Sequence, residues 1–215
     1  MASVPQRVVN VTIYLYILLL AFQNTLTPQL KRSSEDDALV ERARKLDDEA
    51  WQAIFEKHYP RLYKYLYYRV GDPDIAEDLC GEVFEKAIKN IHRFKSRDGG
   101  LAAWLTRIAQ NVGHDYHRRR KARPPQPLTL NEAWVDVGED PSRQLFADES
   151  VSYLQRALKK LTPEQQEVIL LRFIAQMRTS DVAMHLGKTP GAIKAMQHRA
   201  LLSLRRELEK LGYHV

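Results

Sequence analysis

The stretch 161–208 leaves this chain little choice of fold. It opens on Thr162-Pro163-Glu164-Gln165: threonine can cap a helix, proline suits its first position, and glutamine three residues on completes a capping box. Val168, Ile169, Leu170, Leu171, Phe173 and Ile174 then supply one broad apolar face. After a polar break at 176–179, a short helix carries Val182, Ala183 and Leu186, and Gly187 stops it in the left-handed conformation. Thr189-Pro190 repeats the cap-then-proline start, and Ile193, Met196 and Ala200 face inward along a third helix. Small Ala183 at the crossing, glycine at the turn and an apolar pair locking the last helix are what a helix-turn-helix requires. Outward lie Lys194, Gln197, His198, Arg199, Arg205 and Arg206, a basic, hydrogen-bonding face suited to major-groove base edges and phosphates. The same pattern also fits an ordinary three-helix bundle with a solvated charged face.

Charge favours the first reading. Lysine and arginine exceed aspartate and glutamate by 6 over 215 residues, which points to an acidic partner such as nucleic acid. The excess is uneven: basic residues gather at 118–123 and 194–206, acidic ones at 72–85. Cys80 is the one cysteine, so an internal disulfide and a cysteine zinc site are both excluded, as suits a reducing compartment. Strand patterns are almost absent, and the expected fold class is all-α.

The N-terminal part is harder to place. Residues 8–22 are mostly apolar, but a spanning helix needs about 20 such residues, and Asn10 and Thr12 interrupt the run. A membrane anchor ranks below a docked helix or an over-early start, and residues 1–37 are expected to lie outside the core fold, with 31–37 as linker.

Helical periodicity is strong from Ala38 onward. Trp51, Ile54, Phe55, His58, Tyr59, Leu62, Tyr65 and Leu66 form an expected buried stripe. Gly71-Asp72-Pro73 ends that helix and starts another, with Ile75, Leu79, Val83, Phe84, Ala87, Ile88 and Ile91 inside and Asp74, Glu77, Asp78, Glu82 and Glu85 outside. The acids suit a helix N-terminus and a solvated surface, or a dock for a basic protein. Leu101, Trp104, Leu105, Ile108, Ala109 and Val112 mark a further amphipathic helix that runs into the basic stretch 118–121. Aromatic and amide groups beside that stretch offer stacking, edge hydrogen bonds and phosphate contacts, or only a solvated helix end. His114 and His117 stand three apart with no third metal ligand in view. Prolines 124, 125 and 127 stop the helix, and an acidic, aperiodic segment follows. The chain therefore divides into a helical domain at 38–122, a flexible acidic linker at 123–149 and a second helical domain at 150–211.

Two small helical domains in this order resemble an RNA polymerase sigma factor of the sigma-70 family, extracytoplasmic function (ECF) type. Residues 55–63 resemble the start of sigma region 2. Asp74-Ile75-Ala76-Glu77-Asp78-Leu79-Cys80-Gly81-Glu82-Val83-Phe84 resembles its acidic helix, Trp104-Leu105-Thr106-Arg107-Ile108-Ala109-Gln110-Asn111 a later region 2 segment, and 161–208 region 4. The resemblance implies a non-enzymatic, cytoplasmic factor that brings core RNA polymerase to promoter DNA, with no cofactor or metal. It assigns Asp74, Glu77, Asp78 and Glu82 to the polymerase clamp helices. It assigns Phe94, the loop to Leu101, Arg107 and Asn111 to a pocket for a flipped base of the −10 element, with Arg118, Arg119 and Arg120 on the adjacent backbone. It assigns Lys194, Ala195, His198 and Arg199 to the −35 element, and the acidic linker to the polymerase active-site channel. An anti-sigma factor is a further partner of the kind such proteins have. One departure stands out: Arg178 occupies the place of a capping serine, so Thr179 or Ser180 is expected to cap.

Three rivals compete with this reading. A helix-turn-helix regulator that does not bind core polymerase leaves the matches at 74–84 and 104–111 unexplained. A metal enzyme built on His114 and His117 lacks ligands, and a membrane-anchored interaction protein would use the helix-turn-helix only for docking.

Overall fold

Side-chain caps start four of the eight described α-helices. In a computed structural model that describes residues 34–95, 100–122 and 149–212, α1 is Ser34–Ala43 and α2 is Asp48–Val70. The Asp47 carboxylate accepts from Ala50 N at the start of α2, and Gly71, at φ 80°, ends it. Asp72 caps α3 (Pro73–Asn90) in the same way, and a short 3₁₀ turn, Ile91–Arg93, extends it. Then come α4 (Gly100–Ala122), α5 (Glu149–Leu158) and α6 (Pro163–Ile169). The expected capping box at α6 is present in full: Gln165 N donates to Thr162 Oγ1, and the Gln165 side chain accepts from Thr162 N. The helix-turn-helix is α7 (Thr179–Leu186) and α8 (Pro190–Lys210), joined through Gly187 at φ 62°. The apolar run 8–22, loop residues 96–99 and the linker residues 123–148 lie outside the described residues.

Helices α2, α3 and α4 pack on one another with α1 laid along α2, and α8 packs on α5, α6 and α7. The first body buries Ile54, Leu62, Tyr65, Leu66, Val83, Leu101, Leu105 and Val112, the second Leu158, Leu170, Leu171, Val182, Ile193 and Ala200. The two bodies meet, and their buried residues form one continuous core.

Several expectations need correction. Helix α1 begins at Ser34, so the polar stretch read as linker is partly helical, and Asp36 pairs with Lys57 at 2.6 Å. Phe55 and Ile88, placed on buried stripes, are 43% and 41% exposed. Periodicity identifies a helix face, but how far a neighbour covers its margins depends on residues distant in sequence. Neither Thr179 nor Ser180 caps α7: Arg178 holds the N-cap position, its side chain does not cap the helix, and Ser180 Oγ turns to Asp181, 3.4 Å away. Finally, the apolar run 168–174, read as the face of one helix, is α-helical only to Ile169 and then widens into a π-type turn, Leu170–Ile174, closed by Ala175 N on Leu170 O at 2.8 Å.

Candidate nucleic-acid and polymerase interfaces

The outward face of α8 is built by its inward one. Thr189 Oγ1 accepts from Ala192 N at 3.2 Å, which starts the helix, and buried Ile193, Met196, Ala200 and Leu204 fix its rotation. Lys194, Ala195, His198 and Arg199 are thereby all exposed on one side. Gln197 faces differently: its side-chain oxygen accepts from Arg172 Nε at 3.2 Å. Buried Arg172 also donates to the Met177 carbonyl, so one guanidinium ties the end of the π turn to α8. Burial lowers the Arg172 pKa, and the charge of Asp181 opposes that shift.

On α3, Asp74, Glu77 and Asp78 are exposed in the first two turns, where the helix dipole favours anions. Glu82 is half-buried and paired with Lys86 at 2.7 Å and Arg119 at 3.3 Å. Burial works against its charge, but the Lys86 ammonium and the Arg119 guanidinium more than offset it and lower its pKa. This pair joins a residue assigned to the polymerase with one assigned to DNA.

The −10 set is less uniform. Asn111, Arg118, Arg119 and Arg120 are exposed along α4, and Arg118 reaches Asp115 at 3.0 Å. Phe94 is a correction: it is 3% exposed, its ring packs against Trp104 with centroids 5.3 Å apart, and its carbonyl accepts from Arg44 Nη2. A ring held in the core offers no face to a base. Arg107 points toward the second body, with Nη2 3.5 Å from Met184 Sδ on α7.

Sequence reading missed a buried polar cluster beside these residues. Glu167, in α6, lies between the two bodies with its side chain 10% exposed. Its Oε2 is 2.5 Å from Arg69 Nη1, and its Oε1 accepts from Gln110 Nε2 at 2.7 Å and from Tyr65 OH at 3.1 Å. Arg69 Nη1 also donates to Tyr65 OH at 3.0 Å, and Arg69 Nη2 lies 3.1 Å from His114 Nε2. Burial first, then the Glu167 charge, holds the Tyr65 phenol well above its usual pKa, so it stays a donor. Burial first, then Arg69, lowers the His114 pKa. Only Arg172 interrupts the apolar run 168–174; Glu167 ends the polar stretch 164–167, and no local spacing sets it apart. Among the described residues no group of three His, Cys, Asp or Glu side chains could hold a metal ion, and no helix is long and apolar enough to cross a membrane.

Comparison with known proteins places this architecture. Residues 54–123 match the family Sigma-70 region 2, and 152–204 match Sigma-70, region 4. The ECF RNA polymerase sigma factor SigX of Bacillus subtilis is 31% identical over 168 residues, covering 76% of this chain and 86% of that protein. The ECF RNA polymerase sigma factor BldN of Streptomyces coelicolor is 34% identical over 174 residues, 79% of this chain; the match spans 64% of the length of BldN. Among solved structures, CnrH in complex with the cytosolic domain of CnrY superposes with a TM-score of 0.61 at 22% identity, covering 81% of this chain and 97% of CnrH, a likeness of fold. Both matched regions lie on the helices described above, and the chain belongs to the sigma-70 family of RNA polymerase sigma factors, ECF type.

Proposed function

We propose that this sigma factor docks core RNA polymerase through α3 and reads its promoter with α4 and α8. Asp74, Glu77, Asp78 and Glu82 contact the polymerase; Arg107 and Asn111 take a flipped −10 base, with Arg118, Arg119 and Arg120 on the nearby backbone. Lys194, Ala195, His198 and Arg199 read the −35 element. The domains at 38–122 and 150–211 divide this work between melted and duplex DNA, with 123–149 threading the polymerase channel. The observation that most supports the reading is one chain carrying two exposed helix faces of opposite charge: acidic on α3, basic on α8. The first suits a basic protein surface and the second a phosphate-lined groove.

Recruitment is the whole of its chemistry: phosphodiester formation belongs to the polymerase, in the cytoplasm, and this chain supplies binding energy for promoter opening. Extruding a base costs a few kcal/mol, which stacking and edge hydrogen bonds must offset. An anti-sigma partner belongs to the same proposal; RpoE from Bartonella quintana, a fold neighbour with a TM-score of 0.55 at 22% identity, was solved with the anti-sigma factor NepR. The test is run-off transcription by core polymerase on a random promoter library. The expected result is transcription that requires this chain and selects two sequence boxes at fixed spacing; transcripts independent of the chain would overturn the reading.

A further inference from the structure

A carboxylate buried between two bodies needs a reason. Buried ion pairs add little net stability, because removing both charges from water costs about as much as their attraction returns. Arg69 and Glu167 are such a pair, with side chains 8% and 10% exposed. The cradle around Glu167 is elaborate for so small a gain: a guanidinium, a phenol and an amide converge on two oxygens. Arg69 Nε is buried with no hydrogen-bond partner, so the glutamate does not satisfy the whole group. Gly113 makes room for this arginine, since a Cβ there would stand 2.7 Å from Arg69 Cδ.

The position of the cradle is as informative as its content. Gln110 and His114 lie on α4 three and seven residues beyond Arg107, which puts them beside the proposed −10 contacts. With Glu167 seated, α7 lies against Arg107 through Met184. The same contacts that satisfy the glutamate therefore cover part of the single-strand face.

We propose that Arg69, Tyr65 and Gln110 form a binding site for a backbone phosphate of single-stranded promoter DNA, and that Glu167 occupies it in cis when the chain is closed. A carboxylate and a phosphodiester each present two anionic oxygens to the same donors, so a phosphate replaces Glu167 without leaving Arg69 uncompensated. The site deepens the function proposed above and rests on it. Closure then lowers the apparent affinity for single strands by the fraction of open chains.

The test is fluorescence anisotropy of the full chain with a labelled random-sequence DNA single strand of about 12 nucleotides. Glu167→Ala vacates the cradle and is expected to tighten binding about tenfold. Adding Arg69→Gln to that variant is expected to abolish the gain and to reduce the salt slope by about one counterion. Helical content and a cooperative melt are checked for each variant, with Glu167→Gln, which keeps the shape and drops the charge, as the substitute if Glu167→Ala does not fold. No gain on vacating Glu167, or a gain untouched by Arg69→Gln, overturns the proposal. Run-off transcription with the same proteins separates the two claims. A chain that drives transcription but shows no Arg69-dependent gain refutes the phosphate site alone, and one inert in both assays refutes the function as well.

Discussion

Helices α3 and α8 begin alike and end up facing different partners. Each starts with a capping side chain followed by proline: Asp72 accepts from Ile75 N at 3.1 Å, Thr189 from Ala192 N at 3.2 Å. Each turns an apolar stripe inward, Leu79, Val83 and Ala87 on one and Ile193, Ala200 and Leu204 on the other. Only the outward faces differ, acidic on α3 and basic on α8. The lesson is that start signal and inner stripe build the helix, while the outer stripe, which folding scarcely constrains, is left to choose the partner.

The largest effect should come from reversing the acidic face. Glu77→Lys with Asp78→Lys is expected to weaken core polymerase binding at least about 100-fold, since like charges across an interface cost several kcal/mol. Both residues are exposed, so the melting curve should hardly move. Unchanged affinity in a quantitative pull-down would end the comparison, because the two faces would then have no opposite roles. On the other helix, Arg199→Ala should reduce transcription from a selected promoter roughly 10-fold and relax preference only within the −35 box, as loss of one base or phosphate contact costs about 1–3 kcal/mol. A uniform loss across every sequence would make Arg199 a phosphate clamp.

Acid should separate the bodies that carry these helices. His58 in α2 is buried, and burial first, then Arg61, lowers its pKa to about 4, with Asp36 pulling the other way and Lys57 adding to the shift. Its Nδ1 lies 3.3 Å from Arg61 Nη2, and its Nε2 has no partner. A histidine whose folded pKa lies below its unfolded value contributes stability that is complete above the unfolded pKa and is lost as pH falls toward the folded one. Between about pH 7 and about pH 5 the first body should therefore lose about 2 kcal/mol. Amide exchange in α2 and α3 should accelerate while α8 changes little, and His58→Gln should flatten the pH dependence. Equal acceleration in α8 would show that the bodies open as one unit.

The smallest effect tests the likeness itself. Asp72→Ala and Thr189→Ala should each cost about 1 kcal/mol of stability. Thermal melts giving clearly unequal costs would mean that the two starts, alike in geometry, are not alike in energy.

Much of this was legible in the chain because capping and periodicity act within a few residues. Pro163, Gly187 and Pro190 marked helix boundaries where they occur, and Ile193 and Met196 were placed inside correctly. The exposed set Lys194, Ala195, His198 and Arg199 follows from that placement alone. Phe94 was misread because a loop aromatic looks the same in sequence whether Trp104 covers it or solvent does. Phe55 and Ile88 failed for a related reason: each lies at the margin of an apolar stripe.

By itself, then, the amino-acid order determined the capped starts of α2, α3, α6 and α8, the centres of their inner stripes and the sign of charge α3 and α8 show outward, since these depend on neighbours one to four positions away. Tertiary structure alone decided that Glu167 sits on Arg69, 98 residues earlier, that Arg107 faces Met184, and that His58 is buried neutral. Long-range pairings of this kind depend on which faces meet once the helices exist, and no local spacing encodes that choice.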